Sequence, residues 1–197
     1  VNRLLGPNRV PQKAPVNVHE VLEHVRQLVE AEAPESVRFL RDYDPSIPDL
    51  IGDREQLIQA VLNIAHNAAQ ALTERIAAGD AQIKLRTRVL RQLTVGRQRY
   101  RLALELHVID NGPGVPDSIK DRVFSPLVSG RDGGTGLGLS IVKHVMAQHG
   151  GEVSVWSQPG RGSTFTLQIP LMEDPDEQHG PPPSGGAHRR HRVEERA

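Results

Sequence analysis

The chain has 197 residues, with 24 basic against 24 acidic side chains for a formal net charge of zero, and no cysteine. That length gives one domain with a core of its own plus tails, and the neutral balance sets up no global field toward nucleic acid or an anionic membrane surface. Missing thiols exclude disulfides and thiolate metal sites and fit a reducing, cytoplasmic setting, while no apolar run approaches the ~18 residues of a membrane span and no signal peptide is visible at Val1.

Val1-Asn2-Arg3-Leu4-Leu5 reads as the close of a helix that Gly6-Pro7 stops, and Pro11 and Pro15 keep the next stretch extended. Asn17 is the expected N-cap of a helix to about Ala31, with Glu20 three residues on as in a capping box. Val18, Val21, Leu22, Val25, Leu28 and Val29 form its apolar stripe. Val37 to Tyr43 alternates as a strand, Asp44-Pro45-Ser46 turns, and Leu50-Ile51 gives a short second strand. Asp53 then caps a long helix, Arg54 to Ala78, which Gly79 ends. Ile58, Val61, Leu62, Ala65, Ala69, Leu72 and Ile76 are assigned to its buried face, with Asn63, Asn67 and Gln70 roughly opposite. Two carboxamides one turn apart are unusual in an Ala- and Leu-rich helix, since Asn is a poor helix former. They are either a solvated face or a site in which Asn67 offers its carbonyl oxygen to Mg²⁺ beside phosphates.

Ile83 to Leu93 and Arg99 to Ile109 alternate as two strands joined at Val95-Gly96. The parity of Leu102, Leu104, Leu106 and Val108 carries Asp110 inward at the strand end. A carboxylate there must be hydrogen-bonded, and the exocyclic amino group of adenine is a natural donor; the alternative is a turn-making Asp-Asn before glycine. Asp110-Asn111-Gly112-Pro113-Gly114 is answered about twenty residues later by Gly133-Gly134-Thr135-Gly136-Leu137-Gly138-Leu139, which opens into a helix to Gln148. A helix N-terminus presents free N–H groups to an anion, so the two loops read as a base site and a phosphate site. Asp117 to Val123 is a short helix. Ser125 to Thr135, with Arg131 its one cation, reads as a lid; Arg131 either meets phosphate or is a solvated loop arginine. The Leu137–Gln148 helix carries Ile141, Val142, Val145 and Met146 as its apolar residues, and Gly150-Gly151 ends it. Glu152–Ser157 and Thr164–Ile169 are closing strands around the turn Pro159-Gly160-Arg161-Gly162, the pattern stops after Pro170, and the Pro-, His- and Arg-rich end is expected to be disordered, with His179, His188 and His191 in a loose tail rather than a metal tract.

Five motifs in order give the chain a family resemblance. Asn63-Ile64-Ala65-His66-Asn67-Ala68 resembles the N box, Asp110-Asn111-Gly112-Pro113-Gly114 the G1 box, and Val123-Phe124-Ser125-Pro126-Leu127 the F box. Gly134-Thr135-Gly136-Leu137-Gly138-Leu139-Ser140-Ile141 resembles the G2 box, and Gly160-Arg161-Gly162-Ser163-Thr164-Phe165 the last glycine motif, of the ATP-binding catalytic domain of bacterial sensor histidine kinases, which share a superfamily with gyrase B, Hsp90 and MutL. The segment Phe124 to Gly136 is similar to the short lid of the nitrogen-regulation (NtrB) branch.

The resemblance implies an α/β two-layer sandwich: a mixed, mostly antiparallel sheet with three helices on one face, the other face solvated or covered by a partner. It implies an upstream hairpin end and linker over 1–15, an ATP-binding catalytic domain over 16–172 and a tail over 173–197. The activity implied is transfer of the γ-phosphoryl of ATP, with Mg²⁺, to a histidine on a hairpin that this chain lacks, and on to a response regulator of NtrC type under a PII-type signal protein, within a homodimeric parent. A gyrase- or MutL-like ATPase and a non-catalytic nucleotide-binding docking module are the alternatives. Asn67 would hold the metal and Asp110 would accept from adenine. Gly112 and Gly114 would shape the base pocket, Gly134, Gly136 and Gly138 would let the lid and helix N-terminus wrap the phosphates with Arg131 as a donor to them, and Thr135, Leu137 and Ser163 would also belong to the nucleotide site. Asn63 stands where gyrase-like enzymes carry a catalytic Glu, and a carboxamide cannot take a proton from water. His19-Glu20-Val21-Leu22 begins like the phosphoacceptor motif but lacks its Asn and Pro and sits on the domain's own first helix, so it is not read as the acceptor.

Overall fold

The computed structural model describes residues 10–32, 36–126 and 138–173. Residues 1–9 of the expected hairpin end and linker, residues 127–135 of the expected lid with the two that follow it, and the tail from 174 onward lie outside the described residues. In chain order the elements are β1 (Ala14–Val16), α1 (Val18–Glu32), β2 (Arg38–Asp42), β3 (Leu50–Gly52), α2 (Arg54–Ala71), α3 (Thr73–Ala78), β4 (Gln82–Val95), β5 (Gln98–Asp110), α4 (Gly138–Gln148), β6 (Glu152–Gln158) and β7 (Gly162–Glu173). A 3₁₀ turn, Lys120–Arg122, stands where a short helix is expected.

The main sheet has the order β2-β4-β5-β7-β6, with β2 parallel to β4 and every other pair antiparallel. Alternation along the strands decides the two faces. Ile83, Leu85, Leu104, Leu106, Val108, Phe165 and Leu167 are buried against α1, α2 and α4 in one continuous core. The opposite face is polar: Asp42 pairs with Arg86 and Arg88, and Glu105 bonds both His107 (2.9 Å) and Gln168 (2.9 Å). Trp156, at the edge strand β6, is 54% exposed there.

Helix α2 lies between α1 and α4. Its buried residues are Gln56, Leu57, Ala60, Val61, Ile64, Ala65 and Ala68. Ile58, Leu62 and Ala69, assigned to the buried face from sequence, only flank the core, and Ile76 is exposed. The physical reason is packing on more than one side, since α2 touches both α1 and α4 and Leu57, Val61 and Ile64 take the central positions together with the alanines. Leu28 of α1 and Ile141 of α4 are likewise exposed. The expected Arg54–Ala78 helix breaks at Leu72, which has a non-helical ψ of 12° and turns fully into the core; α3 then restarts and buries nothing.

Two further elements depart from expectation. Ala14–Val16 pairs antiparallel with Leu50–Gly52 in a separate two-stranded sheet, so the proline-held linker is a strand. β7 runs on past Pro170 to Glu173, because the register with β5 shifts between Ala103 and Tyr100 and accommodates a residue with no N–H.

Candidate nucleotide site

The strand parity read from sequence holds: Asp110 closes β5 on the buried face at 5% exposure, opposite Ile83 on β4 and Ser163 on β7. Its Oδ1 accepts the backbone N–H of Gly112 at 2.9 Å, which folds the loop back over the carboxylate. Two glycines in this region are forced. Gly162 has φ +97°, and a Cβ there would fall on the carbonyl oxygen of Asp110. Gly114 has φ +84°, and its Cβ would lie 2.8 Å from Gln158 O and Ser157 Oγ. Gly112 is confined by its neighbours instead: a Cβ would lie 3.2 Å from the carbonyl oxygen of Ala71 and 3.5 Å from Leu72. The break in the long helix at Leu72 is thus where the glycine loop seats on α2.

Asn111 fastens the loop to the sheet. Its Oδ1 accepts from Gln82 N–H (2.9 Å), its Nδ2 donates to Asp80 O (2.8 Å), and Arg75 donates to its carbonyl (3.1 Å). Ser157, buried at the end of β6, is a hub that the sequence reading overlooked. Its Oγ accepts from Val115 N–H (2.7 Å) and also meets Gly162 O and Ser163 Oγ, both at 3.3 Å. Lys120 donates to the Ser157 carbonyl at 2.7 Å. No local pattern singles out a serine at a strand end; only the 42-residue separation of its partner shows what it does.

On α2, Asn63 and Asn67 are half-buried, one turn apart. Asn63 Oδ1 accepts from Gln59 (2.8 Å) and its Nδ2 donates to the carbonyl of Gly138 (3.2 Å), tying α2 to the first residue of α4. Asn67 therefore lies on α2 between the start of α4 and the seat of the glycine loop. His66, in the same motif, turns instead to Glu32 of α1 at 2.8 Å. Phe124 packs edge-on against the core residue Phe165, centroids 6.1 Å apart, and so anchors the chain just before the lid. Of the remaining candidates, Gly138 is in place at the N-terminus of α4, whereas Arg131, Gly134, Thr135, Gly136 and Leu137 lie outside the described residues.

Among the described residues no three His, Asp or Glu side chains converge as a metal cage. A single carboxamide oxygen on Asn67 fits a hard ion such as Mg²⁺, which takes few protein ligands and completes its shell with water and phosphate oxygens. His19 is partly buried, hydrogen-bonded to Thr87 Oγ1 (2.8 Å) and stacked on Tyr43.

The family described as histidine kinase-, DNA gyrase B-, and HSP90-like ATPase matches residues 52–173. The sensory histidine kinase/phosphatase NtrB of Vibrio alginolyticus is 46% identical over 172 residues, 87% of this chain and 48% of that protein. The chain thus spans about half the length of the curated relatives it matches. Among solved structures, the mycobacterial sensor histidine kinase MprB is similar with a TM-score of 0.63 at 27% identity, over 83% of this chain and 100% of that one. Full-length ShkA in complex with AMPPNP is similar with a TM-score of 0.65 at 25% identity, over 84% of this chain and 32% of that one.

Proposed function

Because this chain belongs to the histidine kinase-, DNA gyrase B- and HSP90-like ATPase family, we propose that it is the ATP-binding half of a sensor histidine kinase. In this reading it delivers the γ-phosphoryl of ATP to a histidine carried on a separate helical hairpin. The observation that carries the reading is the buried carboxylate of Asp110, held by Gly112 N–H beneath a glycine loop that seats on the end of α2, next to Ser163. Asp110 accepts a hydrogen bond from the adenine amino group, while Gly112, Gly114 and Ser163 shape the base pocket. Asn67 offers its carbonyl oxygen to Mg²⁺, which when bound neutralises phosphate charge. The N-terminus of α4, with Gly134, Thr135, Gly136, Leu137 and Gly138, presents N–H groups to the phosphates, and Arg131 adds a charge-assisted donor. What the protein contributes is positioning and preorganised electrostatics, not covalent chemistry.

Similarity to the NtrB relatives supports placing the activity in nitrogen regulation. The partners are then an NtrC-like response regulator, a PII-type signal protein and the histidine hairpin of a homodimeric, cytoplasmic parent. Asn63 favours kinase over free ATPase: both ends of its carboxamide are already engaged, and neither can act as a base toward water.

The test is calorimetric titration with a non-hydrolysable ATP analogue, with and without Mg²⁺, beside Asn67→Ala. Metal-dependent binding that the variant loses supports the site, and phosphotransfer to a separately supplied histidine hairpin supports the activity. Equal binding by wild type and variant would assign Asn67 elsewhere, and release of phosphate without transfer would favour the ATPase reading.

A further inference from the structure

A second buried polar cluster lies at the far end of α4 from the nucleotide site. Asp53 and His149 are 2% and 6% exposed. Asp53 Oδ1 accepts from Gln56 N–H at 3.2 Å, the N-cap bond of α2. Its Oδ2 accepts from the backbone N–H of Gln12 in the linker at 2.8 Å. Its own backbone N–H donates to Nε2 of His149 at 3.0 Å. A backbone N–H can only donate, so Nε2 is the acceptor; the imidazole proton therefore sits on Nδ1 and goes to Val145 O at 2.8 Å. Gly52, paired with Ala14, makes room for the ring: a Cβ there would lie 2.9 Å from it.

Helix capping needs only the first of these bonds. The other two reach 41 and 96 residues along the sequence and join three segments: the linker before β1, the start of α2 and the end of α4. α4 is also held at its opposite end, where Asn63 of α2 donates to Gly138 O. An eleven-residue helix spans about 16 Å, so α4 is a short rod pinned to α2 at both ends. One pin touches the linker and the other touches the nucleotide site.

We propose that His149 is a positioning residue for the nucleotide site, and that the Asp53–His149 pair couples docking of the linker to nucleotide binding through α4. The inference rests on the nucleotide reading above. When the Gln12 amide leaves Asp53, the cap and the N–H presented to His149 relax together, and the rod loses its fixed end. Reciprocity requires the converse: nucleotide at the N-terminus of α4 must tighten the linker's hold. Displacement of the segment around Gln12 is thereby felt at the nucleotide site without any contact with it.

The experiment is amide hydrogen exchange on the full chain, with and without a non-hydrolysable ATP analogue and Mg²⁺, in the wild type and in His149→Phe. Nucleotide is expected to raise protection at Gly112 and Gly114 and also at Gln12. In the variant the rise at Gln12 should vanish while that in the glycine loop remains. Gln12→Pro, which removes the N–H from an exposed position, is expected to weaken nucleotide affinity by about 5-fold, the lower range of allosteric couplings, whereas Gln12→Ala, which keeps the N–H, should not. Protection in the glycine loop without any at Gln12, or equal affinities for Gln12→Pro and wild type, would overturn the coupling and leave the nucleotide reading standing. Protection at neither place would overturn both.

Discussion

Asp110→Asn is the sharpest test of base recognition, because it changes one atom's chemistry and almost nothing of its shape. Asp110 Oδ1 is committed to Gly112 N–H at 2.9 Å, and a carboxamide oxygen makes that bond equally well. The loop and the Gly162 contact with the Asp110 carbonyl should therefore survive. The second oxygen becomes an NH₂ group, which in the proposed site would turn an acceptor into a donor facing the amino group of adenine. A hydrogen bond to a charged group contributes roughly 1.5–3 kcal/mol, so the loss predicts about 10- to 150-fold weaker binding of an ATP analogue. Guanine presents a carbonyl where adenine presents an amino group, so the variant should lose far less affinity for a GTP analogue, and the ratio of the two should move toward one. Calorimetric titration gives both constants, and a thermal melt checks the fold. Adenine affinity within about threefold of wild type would refute the assignment, since that is under 1 kcal/mol. So would an unchanged preference for adenine accompanied by a large drop in Tm, which would make Asp110 a structural residue only.

Gly162→Ala is expected to cost about 1–3 kcal/mol through backbone strain at φ +97° and overlap with Asp110 O. The readout is a Tm lower by about 2–4 °C per kcal/mol, accompanied by weaker nucleotide binding; an unchanged melt would contradict the geometry. Burial holds the pKa of His149 below its ordinary value, and the Lys13 charge adds to this, while the Val145 bond and Asp53 oppose it; burial does the same to His19 against Asp44 and Glu23. The unfolded chain then takes up protons first as pH falls through about 6.5. The stability due to these neutral rings is therefore full above that pH and is lost below it, toward the folded values. Urea midpoints should fall between pH 7.5 and 5.5, less steeply in His149→Phe, and an NMR titration placing His149 at or above 6.5 would contradict this.

The parts of the fold that sequence reveals are those written in local chemistry. Asp53 caps α2 through Gln56 N–H and Asn17 caps α1 through His19 N–H, each within a few residues. The period of two from Leu104 to Val108 carries Asp110 to the buried face, whereas Leu102, expected in the same row, is only half-buried because the register shifts between it and Ala103. The buried side of α2 is displaced from the expected one because the helix touches both α1 and α4, so apolar residues line more than one side and Leu57, Ala60, Ile64 and Ala68 share the buried face with Val61 and Ala65. β1 was missed because a three-residue strand containing a proline carries no period of its own. The ties that build the site are the least legible: Ser157 to Val115, Asn63 to Gly138 and Asp53 to His149 join positions 42, 75 and 96 residues apart, and only the fold brings them together.

Asn63 shows how closely such a tie and the chemistry are joined. Replacing it with Glu would supply the carboxylate that a hydrolytic relative uses to take a proton from water. In this chain it would also remove the Nδ2 donor that holds Gly138 O at 3.2 Å and set a negative charge against that carbonyl. The Gln59 donation at 2.8 Å would persist. The lost half-buried bond predicts about 1–3 kcal/mol of destabilisation, felt at the start of α4, where the phosphates are proposed to bind. Asn63→Glu should therefore weaken nucleotide binding and lower Tm without producing an ATPase, measured by phosphate release against a melt. Hydrolysis that rises in a variant of undiminished stability would show that the carboxamide is dispensable to α4. The carboxamide at position 63 would then be what separates the proposed site from a hydrolytic one.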